Sequence, residues 1–396
     1  MIILCLITGL ATVGFGLVLP TFLFYAENLG ATPMVATIII GTYSMGQFIG
    51  TPIWGRVSDR IGRKPVLLIS IFGQGICFVL LALSTNLWML ALARFFGGMV
   101  SANISTAMAY VTDSTEESVR AKHIGFIGAS VSVGFMAGPA LGGLLGGQDA
   151  STASLYLPAM VAGSISFTTG ICALFFLKES LKKENRSDKT IESNSLIKNW
   201  GLVFRRPILP LIILLGLGMM YVTGTFETIF PLWTNARFSW SPMDIGFCLT
   251  YIGLVVTLMQ ATVVGRVVPI LGEARVIRIS FFGYALGLLI MSQAPNWEIM
   301  IAGLTVSAAS GAAFSTSASS LVSKVAGKKE KGFVLGVYQS GCWFGRILGP
   351  LTAGALFSLI DVNAPLYAGI VILIPCIIVV GFISKKMKQQ ALHSSI

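Results

Sequence analysis

Twelve runs of mostly apolar residues divide this chain, and they constrain its fold more than any other feature. Each run holds about 20 residues, enough for a helix to cross the hydrocarbon core of a bilayer. Only 11% of the residues are charged, whereas soluble domains carry about 25%. The sequence therefore predicts an all-α membrane protein with twelve spans. Their predicted limits are 2–24, 34–54, 65–84, 87–111, 123–146, 155–177, 208–233, 242–265, 275–294, 297–322, 333–358 and 365–384.

The basic residues are distributed by loop. The formal net charge is +11, and every Lys and Arg other than Arg94, Arg237 and Arg346 lies in or beside an even-numbered loop or the carboxyl tail. The positive-inside rule then predicts that both termini and the even-numbered loops are cytoplasmic. Because topology accounts for the positive charge, nucleic acid is not a predicted partner.

The chain is predicted to contain two related halves. A polar stretch of mixed charge, residues 178–206, indicates a linker between two six-helix bundles, 1–177 and 207–396. With an even number of spans in each half, both enter the membrane in the same direction, and an axis along the membrane normal would relate them. Gly125, Gly134, Gly138, Pro139 and Gly143 in span 5 have counterparts 211 residues later in span 11, namely Gly336, Gly345, Gly349, Pro350 and Gly354.

A charged, glycine-rich loop runs from Gly55 to Pro65 between spans 2 and 3. Its glycines, Gly55 and Gly62, allow a tight turn and close helix approach, and Asp59 suits a helix amino terminus. A solvated turn would explain the arginines but not the acid among them. A copy begins at Gly265, lacks the central acid and is predicted to be structural.

Three ionisable residues lie inside spans, where such a group costs at least ~2.5 kcal/mol and marks a functional site by default. They are Arg94 in span 4, Glu227 in span 7 and Arg346 in span 11. Glu227 is the one carboxylate well inside a span, where burial favours proton exchange near neutral pH. The alternative is a structural pair with Arg346, and both hold if the pair breaks during transport. Arg94 could simply donate hydrogen bonds to backbone carbonyls.

Span 5 presents small residues at helical spacing. Gly134, Gly138, Gly142 and Gly143 form a face that lets a neighbouring helix approach closely. Pro139 removes a backbone hydrogen bond and favours a bend. Ordinary helix packing could account for the whole motif.

Nine polar or aromatic residues are predicted to line a substrate cavity. Individually, such residues more often pack or form interhelical hydrogen bonds than contact a ligand. Together they describe an apolar pocket with few polar anchors, as small-molecule sites usually are. They are Gln47, Asn103, Tyr110, Tyr221, Phe226, Tyr251, Gln260, Gln339 and Trp343.

Enzymatic and metal chemistry lack motifs in this sequence. It contains no nucleotide-phosphate loop, no HExxH and no Ser-His-Asp set, and its six cysteines lie in apolar segments without CxxC spacing. The sequence therefore predicts neither an enzyme nor a metal site, and no cofactor.

These motifs resemble the major facilitator superfamily over nearly the whole chain. The resemblance rests on three motifs: the loop from Gly55 to Pro65, a span-4 motif from Arg94 to Gly98 and the span-5 motif from Gly125 to Gly143. Residues 237–247, with Gln260, are similar to the tetracycline and neighbouring multidrug exporters. The resemblance implies a latch in which Asp59 faces the start of span 11 and Arg60 or Arg63 pairs with Asp113. It also implies that Arg94 helps proton movement.

The implied function is export of small amphipathic molecules in exchange for protons, by a monomer in the bacterial cytoplasmic membrane. The sequence departs from known drug exporters at two positions, where Ala11 and Ala312 replace acids that those exporters carry. These differences weigh against assigning the function of those exporters directly to this chain. One alternative is an exporter of an endogenous anionic metabolite or siderophore, since Arg94 and Arg346 outnumber Glu227. Another is a membrane sensor or scaffold that transports nothing.

Overall fold

The computed structural model describes residues 1–181, 208–325 and 331–393. Within them, twelve helical segments are long and apolar enough to cross a membrane, which confirms the predicted all-α, twelve-span fold. Residues 182–206 of the predicted linker lie outside the described residues. The helices are Ile2–Asn28, Pro33–Ile61, Arg63–Ala82, Leu87–Met99, Asn103–Ser114, Glu117–Gly146, Tyr156–Phe176, Leu209–Phe238, Pro242–Leu258, Gly265–Leu271, Glu273–Gln293, Trp297–Val325, Lys331–Leu359 and Ala364–His393.

Span 4 is two helices and not the single helix predicted. Leu87–Met99 ends and Asn103–Ser114 begins across a short turn. Side chains from other spans bond the backbone there: the Trp54 indole donates to the Met99 carbonyl at 2.8 Å, and the Ser70 hydroxyl donates to the Val100 carbonyl. The Ala102 amide in turn donates to Ser70 at 3.0 Å. Because these bonds satisfy groups that a continuous helix would pair internally, the break is stable inside the bundle.

Span 8 also departs from a regular helix. Pro242–Leu258 continues as a π-helix over Met259–Val264 and then as Gly265–Leu271. A π-helix shifts the phase of the side chains that follow it, so the apolar pattern of residues 242–265 predicts the span but not this interruption. Gln260 lies within the π-helical segment.

The chain groups into two compact units. The first holds Met1–Lys189 with Phe230–Gly253, and the second holds Thr190–Ile229 with Leu254–Ile396. The start of span 8 belongs to the first unit because Gly246 packs against Pro139 and Gly143 of span 5. The domain limits inferred from the sequence, 1–177 and 207–396 with a linker at 178–206, stay a prediction.

Burial within the first unit matches a membrane protein. Spans 1, 3, 4, 5 and 6 share an apolar core, while large apolar side chains such as Trp88, Phe175 and Phe176 are exposed. Exposed apolar side chains are expected where a helix faces lipid. The core residues are Leu4, Ile7, Leu67, Ile71, Ala107, Val111, Ile127, Ala173 and Leu177.

Candidate functional site

An ion cluster occupies the loop between spans 2 and 3. Arg63, the first residue of span 3, has a side chain only 10% exposed, and its Nε lies 2.7 Å from Asp113 Oδ2. Its Nη1 lies 2.6 Å from Asp59 Oδ1 and donates to the Ser58 hydroxyl at 2.6 Å. Of the two arginines considered for Asp113, Arg63 makes the contact and Arg60 is exposed. The cluster ties the end of span 2 to the end of span 4.

Glu179, just after span 6, completes this cluster and was missed by sequence reasoning. Its Oε1 accepts from the Arg63 amide at 2.9 Å and its Oε2 accepts from the Lys64 amide at 3.2 Å. These amides are among the unpaired donors that every helix exposes at its amino terminus, where negative charge is favoured. The signal in the sequence that could have identified Glu179 is its position as an acid directly after a span, among the basic residues of that loop.

The two glycines of the loop differ in role. Gly62 has φ of 109° and separates the helices of spans 2 and 3, so the tight turn requires glycine. Gly55 is helical, and a Cβ atom there would meet open space. The expectation that Gly55 permits close helix approach is therefore wrong within the described residues. Asp59 facing the start of span 11 stays a prediction.

The glycines of span 5 pack directly on span 1. A Cβ added at Gly134, Gly138 or Gly142 would lie within 3.0 Å of span 1 backbone atoms. The carbonyls that they approach belong to residues 9, 13 and 17, one helical turn apart. On the neighbouring face, Gly143 approaches Pro242 and Met243 at the start of span 8 in the same way, and the Pro139 carbonyl meets Gly246. Span 5 therefore has two close-packing faces, and its role in export direction stays a prediction.

Arg94 is almost fully buried in span 4, with 3% of its surface exposed. Its guanidinium lies over the rings of Phe15, Phe22 and Tyr43, at 5.6, 5.0 and 4.8 Å from the ring centres. The alternative of hydrogen bonds to backbone carbonyls is not what the described residues show, and Arg94 Nε has no partner among them.

Glu227 and Arg346 form an ion pair between spans 7 and 11, with Glu227 Oε2 2.6 Å from Arg346 Nη2. Gly224, one turn before Glu227, brings the two helices together: a Cβ there would lie 3.4 Å from Arg346 Cα. The Glu227 side chain is 47% exposed, so the expected deep burial is wrong. The carboxylate of Glu227 balances the charge of Arg346, as the alternative of a pair predicted. Whether the pair couples protons stays a prediction.

Tyr284 of span 9 lies beside this pair and was not singled out from the sequence. Its hydroxyl is hydrogen-bonded to Thr223, and it interacts electrostatically with both Glu227 and Arg346. Tyr284 is 4% exposed. A phenol hydroxyl can both donate and accept a hydrogen bond. It can therefore change its hydrogen bonding when the charge of the Glu227–Arg346 pair changes.

Three cavity candidates lie in the amino-terminal half. Asn103 is 3% exposed and donates to Gln74 Oε1 at 2.9 Å, which adds Gln74 to the set. Gln47 Nε2 lies 3.5 Å from the Ser101 hydroxyl. The Tyr110 hydroxyl donates to the Lys178 carbonyl at 2.8 Å, next to the shared apolar core. Tyr110 therefore ties span 4 to the exit of span 6.

The other six candidates lie on spans 7, 8 and 11. The Tyr221 hydroxyl pairs with the Thr352 hydroxyl at 2.7 Å, an interhelical bond of the ordinary kind. Phe226 is 7% exposed and packs in the core. The cavity-lining roles of all nine residues stay predictions. Tyr251, Gln260 and Gln339 are exposed, and Trp343 is half-buried.

Comparison with known proteins supports the motifs. The family model described as the Major Facilitator Superfamily matches residues 4–273 and 228–394. The class H tetracycline resistance protein of Pasteurella multocida is 32% identical over 362 residues, covering 90% of this chain and 88% of that protein. Multidrug resistance protein 2 of Bacillus subtilis (strain 168) is 28% identical over 391 residues, covering 97% and 95%.

A solved structure shows the same fold. The human organic anion transporter MFSD10 (TETRAN) superposes with a TM-score of 0.72 at 21% identity, covering 96% of this chain and 98% of that one. At this identity the likeness establishes the fold alone. The twelve spans, the paired motifs and the full-length matches lead to one conclusion: this chain belongs to the Major Facilitator Superfamily, a family of membrane transporters and not of enzymes.

Proposed function

We propose that this protein exports small amphipathic molecules in exchange for protons, by alternating access, as a monomer in the bacterial cytoplasmic membrane with both termini in the cytoplasm. The observation that carries the proposal is the Glu227–Arg346 pair, in which Nη2 and Oε2 are 2.6 Å apart and the carboxylate is 47% exposed. An intramembrane carboxylate that is only half-buried within the protein is suited to exchanging a proton or a substrate cation.

Protonation of Glu227 would break the pair. A neutral carboxyl group loses the Coulomb attraction to Arg346, and the guanidinium would then need another acceptor. Spans 7 and 11 meet at Gly224 beside Arg346, so a change in the pair acts on a packed helix contact. Coupling to transport requires that the inward and outward states differ in proton affinity. Arg94 is proposed to assist proton movement from span 4.

The loop cluster is proposed as the latch. Arg63 joins Asp59 and Asp113, and Gly62 sets the turn that places it. Asp59 is 50% exposed and keeps a carboxylate oxygen beyond its bond to Arg63, which supports a second partner at the amino terminus of span 11. Arg60 and Gly55 are assigned no contact in this latch.

The substrate class rests on the relatives and on the residues of the cavity. The relatives include tetracycline and multidrug resistance proteins, and all nine candidate cavity residues have aromatic or amide side chains. Tetracycline is therefore the first compound to test, followed by a quinolone, since quinolone resistance proteins of Staphylococcus aureus are 26% identical over 385 residues.

The test is proton-driven efflux by Glu227→Gln in proteoliposomes, with Glu227→Asp as the matched control. We expect Gln to abolish efflux and substrate-induced proton release, because it cannot titrate, and Asp to keep part of both. Size-exclusion profile and thermal unfolding temperature check that each variant folds. Full efflux by folded Glu227→Gln would contradict the coupling role.

A second candidate function is export of an endogenous anionic metabolite or siderophore. The observation that favours it is Arg94, which in the described part of the chain is a buried cation without a carboxylate partner. The first candidate predicts proton release from purified protein on adding cationic or zwitterionic drugs. The second predicts release only with anionic compounds.

A further inference from the structure

The surroundings of Arg94 leave its hydrogen-bonding groups unused. No residue in the described part of the chain accepts a hydrogen bond from it or lies within ion-pair distance, and Nε is buried without a partner. The neighbouring rings of Phe15, Phe22 and Tyr43 lie over the guanidinium and attract its charge through their π-faces. A guanidinium directs its five N–H groups outward in its own plane. The rings therefore do not provide acceptors.

An isolated cation in this position is costly. Burying an unpaired charge carries a large desolvation penalty, which most ionisable groups avoid by becoming neutral. Arginine cannot do so, because its guanidinium stays protonated in proteins. Arg94 thus needs a negative or strongly accepting group that its neighbours among the described residues do not supply.

A small cavity adjoins the guanidinium. Its lining includes Arg94, Tyr43 and Gln74 with apolar side chains such as Phe78 and Leu81, and it contains no carboxylate. Asn103 donates to Gln74 Oε1 at 2.9 Å. That bond leaves the Gln74 NH2 group free to donate to a ligand, and the Oε1 atom keeps one further lone pair. The lining therefore offers donors from Arg94 and Gln74, and it holds no carboxylate that would compete for them.

We propose that Arg94 and Gln74 bind a small monovalent anion such as chloride inside the amino-terminal half. Donors without a carboxylate select a negative ligand. The space suits a monatomic ion, since a species of that size needs little more volume than a water molecule. The guanidinium is buried, and low-dielectric surroundings strengthen the attraction between the ion and Arg94. The site is separate from Glu227 and does not rest on the proposed export function.

The test is thermal unfolding of the purified full-length protein as chloride replaces gluconate at constant ionic strength and cation concentration. A ligand that binds only the folded state raises the unfolding temperature in a saturable way, and we expect a rise of about 2 °C or more. Line broadening of the ³⁵Cl NMR signal measures binding directly. A water-filled cavity predicts no specific chloride effect.

Two variants locate the site. Arg94→Gln removes the charge and should lose both the temperature rise and the NMR broadening. Gln74→Glu supplies a carboxylate next to Arg94, so it should unfold at a higher temperature in gluconate and no longer respond to chloride. Gln74→Glu keeps the test decisive if Arg94→Gln fails to fold.

Arg346→Gln is the matched control, because it removes a span arginine that already has a carboxylate partner. It should keep the chloride response. The proposal is wrong if the wild-type protein shows no saturable chloride response, or if Gln74→Glu responds as the wild type does.

Discussion

The two halves place an ion pair at the same position but with opposite signs. In the first half Arg63 begins span 3 and pairs with Asp113 at the end of span 4. In the second half Glu273, 210 residues after Arg63, begins span 9 and pairs at 2.5 Å with Lys324 at the end of span 10, 211 residues after Asp113. The repeat thus preserves the geometry of the contact and not the identity of its charges.

Burial separates the two clusters further. In the first half the buried partner is the cation, with the Arg63 side chain 10% exposed and two carboxylates against it. In the second half the acid is buried, at 9% exposed, and Lys324 is 63% exposed. A lysine so exposed holds a weak pair. The comparison indicates that the ion cluster of the first half contributes more to the stability of its helix contact than the pair of the second half does.

A second pair of equivalent positions differs in chemistry. Phe226 and Arg346 lie 211 residues after Phe15 and Phe135. The Phe15 and Phe135 rings meet edge to face at 6.2 Å in the first half. The second half places Glu227, next to Phe226, in an ion pair with Arg346. The shared helix contact is therefore apolar in one half and charged in the other, which directs functional tests to the second.

The largest expected effect is on transport. Arg346→Gln should abolish proton-driven efflux, because Glu227 loses the partner whose attraction protonation would switch off. Phe135→Leu, at the equivalent position of the first half, should keep most of the activity. Efflux of tetracycline from proteoliposomes under an imposed proton gradient measures both. Equal loss in the two variants would show that the position matters for packing and not for charge.

Reversing the buried charge in the first half should cost the most stability. Arg63→Glu sets a third carboxylate against Asp59 and Asp113, and breaking a buried pair in this way costs about 3–5 kcal/mol. The double variant Arg63→Glu/Asp113→Lys copies the sign of the second half and should recover part of the loss. Thermal unfolding temperature in detergent reports this. No recovery in the double variant would mean that the first half depends on the sign, through Asp59.

The turn glycines should matter equally in both halves. Gly62 and Gly272 have φ of 109° and 78° with extended ψ, a region open essentially to glycine alone, so each change to Ala should cost about 1–3 kcal/mol. Gly55 and Gly265 are the controls: both are helical with open space around a Cβ, and Ala there should be neutral or stabilising by up to about 1 kcal/mol. Unfolding temperatures of the four variants test this, and equal losses at all four would refute the distinction.

The smallest effect is expected at Lys324. Removing an exposed partner costs about 0–1 kcal/mol, and the Ser320 hydroxyl still donates to Glu273 at 2.9 Å. Lys324→Ala should therefore change the unfolding temperature far less than Asp113→Asn. A larger loss for Lys324→Ala would reverse the ranking of the two clusters.

The sequence alone determined the twelve spans, the repeat and the family, because the apolar length needed to cross lipid and the glycines needed at helix contacts are both local properties. It identified Glu227 with Arg346 as a candidate pair, and the family resemblance implied Arg60 or Arg63 as the partner of Asp113. It did not identify Glu273 with Lys324 as the counterpart pair, since a motif search follows residue identity and the signs are reversed.

Only the tertiary structure decided which partners the polar and charged groups of this chain have. Ser70 and Trp54 break span 4 by bonding its backbone from other spans, and Glu179 caps span 3 from 116 residues away. The exposed fraction of Glu227, and the absence of a carboxylate partner for Arg94 in the described part of the chain, likewise depend on which side chains of neighbouring helices lie beside them. Hydrogen bonding and burial are set by packing between distant segments, and no window of sequence contains that information.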